Sequence, residues 1–268
     1  MRINTLRQVF AKGETAVNGW VSGDSEYLAE VLSHSGFDAI TIDLQHGMFG
    51  VDGALRLIHA VASGPSVPMV RPSSLDAALI GKLLDGGAYG VICPSIDTAE
   101  QARELVQACR YPLKGLRSFG PSRGILYGGP DYVERADDEI LVWAMVESAT
   151  SLANLQEILE VDGIDGVYVG PNDLALSLGL QPGSRMPEPP VAEALARVVS
   201  MTHAAGRVAG AFCADGHVGG WLADMGYDLV TPGNDAGLLR AAAVDRIALV
   251  RNRSSLGGGG IAESPTGY

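Results

Sequence analysis

A closed (β/α)8 TIM barrel, an α/β fold, is the architecture this sequence predicts, and three observations predict it. Eight short apolar, β-branched runs recur along the 268 residues. Stretches with helical spacing separate most of them, several closed by a glycine suited to a helix C-terminus. The eight units together occupy about 230 residues, the size of one such barrel.

The runs come in a regular order. TAVNGWV at 15–21 precedes the helical stretch SEYLAEVLSHSG, and DAITIDL at 38–44 precedes VDGALRLIHAVASG. VPMVR at 67–71 leads into SLDAALIGKLLDGG, and YGVIC at 89–93 follows. ILVWAMVE at 140–147, DGVYVG at 165–170, RVAGAFC at 207–213 and YDLVTP at 227–232 complete the set. Alternating β and α units imply parallel strands joined by crossover helices, and near-continuous apolar strands suit a sheet covered on both faces. An open doubly wound sheet is the alternative, and the absence of GxGxxG after the first run weighs against it.

Two regions break the rhythm. Tyr111 to Asp138, with KGLRSFGPSRGILYGGP, exceeds an ordinary connection, and long barrel loops are often lids over a site. The tail SSLGGGGIAESPTGY is glycine-rich, to be read as mobile or held by a neighbouring subunit. The expected organisation is one barrel domain over residues 1–253 and a tail over 254–268.

Apolar residues form 47% of the chain and charged ones 19%, which gives ample material for one large core. A net charge of −12 argues against general nucleic-acid binding, although a few arginines in a cleft still suit an anionic substrate. Cys93, Cys109 and Cys213 are odd in number and far apart, so they read as small buried apolar residues. The first residues, MRINTLRQVFAKGE, lack the apolar centre of a signal peptide and no run is long enough to span a membrane, so the expected location is cytoplasmic.

Barrel enzymes carry their chemistry at the C-terminal ends of strands. The second run ends in Asp43-Leu44-Gln45-His46, the third in Arg71, the fifth in Glu147, and the sixth leads into Gly170-Pro171-Asn172-Asp173. Glu147 and Asp173 are spaced as successive strand ends, and two carboxylates suit a hard divalent cation such as Mg2+ or Mn2+. Each also reads as a helix cap. Arg71 can pair bidentately with a substrate carboxylate, or simply with an acid on the neighbouring strand. His46 reads as a general base, with Asp85 as a carboxylate to orient its ring, or as a structural histidine. Lys12, Lys82 and Lys114 are the lysines, and none ends an apolar run, so a Schiff-base mechanism is not expected.

Taken in order, DLQHG, PMVRP, LLDGGAYGVICP, WAMVES and YVGPNDLALSLG resemble the metal-dependent class II pyruvate aldolases of the HpcH/HpaI family. That family includes 4-hydroxy-2-oxoheptanedioate and 2-dehydro-3-deoxyglucarate aldolases. The resemblance implies cleavage of a 4-hydroxy-2-oxo acid to pyruvate, or a close analogue, and an aldehyde, with aldol addition in reverse. It implies that Glu147 and Asp173 hold the divalent ion (Mg2+, Mn2+ or Co2+), that Arg71 contacts pyruvate, and that His46 supported by Asp85 moves the proton. Gly170, Pro171, Asn172 and Asp173 then meet the substrate, with Trp20 nearby and Asp43 behind. A homo-oligomer, commonly a hexamer, is also implied.

Two positions depart from the family pattern. Gln45 stands where many members carry glutamate, and Met145 where many carry glutamine two residues before the metal glutamate. Strand alternation puts Met145 on the same face as Glu147, and a thioether is a poor ligand for a hard cation. Substrate or metal preference is where these departures should tell. Two other readings remain on this fold: an acyl-CoA ester lyase, and a 2-oxo acid binding protein without turnover.

Overall fold

The computed structural model describes residues 1–183 and 187–251, so the expected tail at 254–268 and its boundary lie outside the described residues. Each expected run forms a strand: β1 (Ala16–Val21), β2 (Ala39–Asp43), β3 (Val67–Arg71), β4 (Gly90–Cys93), β5 (Leu141–Val146), β6 (Gly166–Val169), β7 (Val208–Cys213) and β8 (Leu229–Pro232). Neighbours pair in parallel throughout and β8 returns to β1, closing the barrel. Strands β2 to β6 are buried at every residue, the mark of a sheet with helices outside and packed side chains within.

The helices form where apolar spacing and caps coincide. Helix Glu26–Ser33 starts at Ser25, whose side chain accepts from the Leu28 amide, and helix Ala77–Asp85 starts at Asp76, which accepts from Ala78 and Leu79. Helix Ala99–Cys109 opens with a reciprocal Thr98–Gln101 capping box. Gly36 and Gly87 follow their helices with left-handed φ of 97° and 104°, whereas Gly64 ends helix Val51–Ser63 in extended backbone.

The segment 111–138, expected as a long loop, carries two helices, Ser122–Gly128 and Tyr132–Glu139. Its anchors are buried: Tyr132 is fully enclosed, and the Arg117 guanidinium donates to the Tyr132 hydroxyl at 3.1 Å and to Asp85 at 2.8 Å. A buried guanidinium needs a counter-charge, and Asp85 supplies it.

Inside the barrel, helix Thr5–Ala11 brings Phe10 edge-on to Trp143 at 5.9 Å. Higher up, the Asn18 amide lies within hydrogen-bond distance of the Thr41 and Thr231 hydroxyls, and the Tyr168 hydroxyl donates to Thr231 at 2.6 Å. These buried polar groups satisfy one another and form a rigid layer beneath the strand ends. Cys93, Cys109 and Cys213 are buried and unpaired, and burial pushes the Cys109 and Cys213 thiols up to about 12.

The last helix, Asp235–Arg251, buries none of its residues. Its first residue is nonetheless pinned: Asp235 accepts from the Ser22 amide (3.1 Å), the Ser22 hydroxyl (2.9 Å) and the Gly23 amide (2.9 Å). Beyond that clasp the helix exposes Leu239, Val244, Ile247, Leu249 and Val250, while Val17 on the outer face of β1 is also uncovered. Among the described residues, no helix is long and apolar enough to cross a membrane.

Candidate active site

Strand β2 stops at Asp43 because the chain turns there. The Gly47 amide donates to the Asp43 carbonyl at 3.0 Å, and a Cβ on Gly47 would stand 2.1 Å from that same oxygen. Only glycine fits the approach, and the turn swings His46 to the wall of a cavity of about 490 Å3 at the C-terminal end of the barrel. Arg71, Met145, Gly170, Asn172 and Asp173 line the same cavity, as does Trp20.

Asp43 organises one side. Its carboxylate accepts two bonds from Arg71, Nε to Oδ1 at 2.8 Å and Nη2 to Oδ2 at 2.6 Å, and one from Trp20 Nε1 at 3.1 Å. It also accepts from the Gln45 and His46 amides at 3.0 and 3.4 Å, so it closes the turn as well. Burial alone would push the Asp43 carboxyl up; the bonds and charge of Arg71, with those of Trp20 and the His46 amide, outweigh it and hold the group below its ordinary value. Arg71 therefore has the neighbouring-strand acid as its partner while still facing the cavity, with its guanidinium 4.8 Å over the Trp20 ring.

Glu147 follows β5 and lies beside Gly170, just off the cavity wall. Its Oε1 accepts from the Ser95 amide at 2.7 Å, and Ser95 holds a left-handed φ of 57° to aim that amide. Burial pushes the Glu147 carboxyl up, the Ser95 amide draws it back, and the nearby Asp173 charge pushes it up again, for a net rise. Glu147 is not a helix cap: Ser148 takes that part in a capping box with Ser151. Asp173 is not a cap either, since it lies in the first turn of helix Pro171–Ser177, whose cap position is Gly170. A Cβ at Gly170 would sit 2.9 Å from Glu147 Oε2 and 3.3 Å from the Met145 methyl, so glycine keeps that space open.

Asp85 is not brought to His46. It ends a helix in the outer layer, bonds Arg117 and lines a separate cavity of about 890 Å3 with His59 and Arg123. The 111–138 segment lines that second cavity through Leu116, Arg117 and Ser118, and is absent from the wall of the His46 cavity. Gln45 is also off that wall, with Oε1 buried and lacking a hydrogen-bond partner among the described residues.

Three participants escaped sequence reading. Ser95 directly follows Pro94 after β4, a strand-end position like the others, but its amide carries the contact and every residue type except proline has one. Tyr168 and Phe212 line the cavity from β6 and β7, where aromatic residues read as core. Asn234, after β8, lines the cavity, whereas the Thr231 hydroxyl is engaged by Tyr168 and Thr231 is not on its wall.

Comparison with known proteins agrees with this geometry. Residues 17–242 match the family model described as HpcH/HpaI aldolase/citrate lyase. A hydroxypyruvate/pyruvate aldolase from Rhizorhabdus wittichii is 40% identical, covering 93% of this chain and 99% of its own. A 2-keto-3-deoxy-L-rhamnonate aldolase from Klebsiella pneumoniae is 36% identical, covering 94% and 95%. The crystal structure of an HpcH/HpaI aldolase/citrate lyase family protein from Burkholderia cenocepacia superposes with a TM-score of 0.87 at 31% identity, over 93% of this chain and all of that one. With its barrel closed, its strand-end carboxylates gathered and nearly its whole length matched, the chain belongs to the HpcH/HpaI aldolase/citrate lyase family.

Proposed function

We propose that this chain, a carbon–carbon lyase of the aldehyde-lyase class, cleaves 4-hydroxy-2-oxo acids to pyruvate or a close analogue and an aldehyde, and runs aldol addition in reverse. The observation that carries the reading is that His46, Arg71 and Asp173, from three separate strand ends, line one cavity, with Glu147 from a fourth strand end beside Gly170 and within reach of the Asp173 and Arg71 charges.

Glu147 and Asp173 are the residues that would hold a divalent cation, and they fit one. Both offer hard oxygen, and burial together with the Asp173 charge leaves Glu147 with a raised proton affinity that a cation would offset. Among the described residues no cluster of three or more His, Cys, Asp or Glu side chains forms the closed set that structural zinc prefers. A bound Mg2+, Mn2+ or Co2+ supplies Lewis-acid polarisation of the substrate's keto group.

The chain's own residues do the rest. The substrate carboxylate is received at Gly170-Pro171-Asn172-Asp173, where the Asn172 and Asp173 amides belong to a helical first turn that has no intrahelical partner for them. Arg71, fixed in orientation by Asp43 and by the face of Trp20, presents positive charge where the enolate oxygen develops. His46 accepts the 4-hydroxyl proton on a ring nitrogen as the C3–C4 bond breaks, and a proton then returns to C3 to give pyruvate. Asp43 orders this corner through the His46 amide, which places the turn.

The test is pyruvate release from 4-hydroxy-2-oxo acids, followed by coupled reduction to lactate, with and without EDTA and with Mg2+, Mn2+ or Co2+ restored. Activity that survives complete chelation would overturn the metal assignment. The uncovered apolar residues of helix Asp235–Arg251 and of β1 favour a homo-oligomer, which light scattering on the eluting protein would measure.

A further inference from the structure

We infer that the cavity floor selects the donor: an unsubstituted or alkyl C3, as in pyruvate or 2-oxobutanoate, is accepted, and the C3 hydroxyl of hydroxypyruvate is discriminated against, with Met145 as the determining residue. The inference rests on the aldolase reading above and deepens it.

Strand alternation places Trp143 and Met145 on the inner face of β5, with Glu147 next in that phase just past its end. Trp143 packs low in the barrel against Phe10, whereas Met145, two residues on, lines the cavity. The position of its methyl agrees: a Cβ on Gly170 would meet Met145 Cε at 3.3 Å and Glu147 Cβ at the same distance. Tyr168 is the register partner of Met145, and its ring stacks on Trp20 at 5.8 Å with 24° between planes. Phe212 packs edge-on to Trp20 at 5.7 Å.

The hydrogen-bonding groups of the two aromatic residues beside Met145 are already engaged. The Tyr168 hydroxyl donates to Thr231, and Trp20 Nε1 donates to Asp43. Arg71 turns Nε and Nη2 onto Asp43. Around Met145 a 2-oxo acid meets ring surface and a thioether, which donates nothing and accepts weakly, while Arg71, His46 and Asn172 form the polar part of the wall. A hydroxyl on C3 that leaves water for this floor loses its partners without replacement, whereas a methyl or ethyl group gains apolar contact, and methionine adapts readily to the extra carbon. Discrimination of this kind is on the order of 10- to 100-fold.

The test needs only the donor. The Mg2+-loaded full-length enzyme is given pyruvate, 2-oxobutanoate or hydroxypyruvate in D2O, and C3 hydrogen exchange is followed by NMR over the uncatalysed rate. Pyruvate and 2-oxobutanoate are expected to exceed hydroxypyruvate in kcat/KM by on the order of 10-fold or more. Met145→Gln, which supplies an amide, is expected to raise the hydroxypyruvate-to-pyruvate ratio by about 10-fold, and Met145→Leu to leave it low. Equal or greater wild-type turnover of hydroxypyruvate overturns the donor inference while leaving the aldolase reading intact. Absence of exchange with every donor, in enzyme that also releases no pyruvate, overturns the aldolase reading itself. If Met145→Gln does not fold, the wild-type ratio and Met145→Leu decide.

Discussion

Asp43 and Arg71 are register partners on β2 and β3, and their side chains are joined by two parallel hydrogen bonds of 2.8 and 2.6 Å with both groups buried. Truncating one member leaves the other charge buried and unpaired. Asp43→Ala is expected to destabilise the fold by about 3–5 kcal/mol, measured by chemical denaturation. The depressed Asp43 carboxyl contributes stability that is present above its unfolded value near 3.8 and lost as pH falls through its lower folded value. A wild-type acid limb steeper than that of Asp43→Asn below about pH 4 would show that linkage.

Glu147 has the opposite sign. Burial and the Asp173 charge make the folded state bind its proton more tightly than the unfolded chain does, so the favourable contribution exists at low pH and fades as pH rises through the folded value. Above that folded value the ionised carboxylate therefore weakens the metal-free protein. Glu147→Gln is expected to raise the metal-free Tm by about 2 °C and to abolish the Tm gain on adding Mn2+. Its kcat is expected to fall by on the order of 1,000-fold.

His46→Ala is expected to lower kcat by roughly 100- to 10,000-fold with little change in donor KM, the pattern of a lost acid/base group. Steady-state kinetics on a 4-hydroxy-2-oxo acid separates the two constants. A large KM effect with kcat preserved would assign His46 to binding instead.

Gly47→Ala tests the turn rather than the imidazole. The added methyl would collide with the Asp43 carbonyl at 2.1 Å and the Phe49 ring at 2.9 Å, so the turn must shift. A loss of about 1–3 kcal/mol is expected, together with a fall in kcat that follows His46 out of position. Unchanged stability would mean that the turn relaxes freely.

Asp85→Ala should cost about 3 kcal/mol, because the buried Arg117 guanidinium loses its carboxylate. Thermal melts of Asp85→Ala and of the double variant with Arg117→Met check it. The second change is expected to recover part of the loss, as removal of both charges leaves none unpaired.

The barrel was legible because two periods, near 2 and near 3.6, alternate along the chain, and each apolar run from β1 to β8 became a strand. The strand-end rule points to Asp43, His46, Arg71, Glu147 and Asp173, which the fold brings to or beside one cavity, since a polar residue closing a buried run must have a partner or a task. It missed Ser95 because a backbone amide leaves no trace in residue type. Tyr168 and Phe212 were hidden by their apolar bodies, which suit a core as well as a floor. For Asp85 the sequence offers His46 as a partner, whereas within this chain its carboxylate bonds Arg117, which comes from a stretch with no periodicity to place it. The exposure of helix Asp235–Arg251 was likewise illegible, since only the structure shows that its own barrel leaves it uncovered.

In mechanical terms the barrel is a hoop with a short overlap and a clasp. The β1–β8 ladder pairs two residues from each strand, Ala16 with Leu229 and Val17 with Val230, and Asp235 fastens the rim above it through Ser22 and Gly23. Ser22, Gly23 and Asn234 are also part of the cavity mouth. Loosening the clasp would therefore widen the aperture on the Trp20 side while Glu147 and Ser95, on the far arc, kept their hold, so entry can be tuned from the hoop's seam without touching the chemistry.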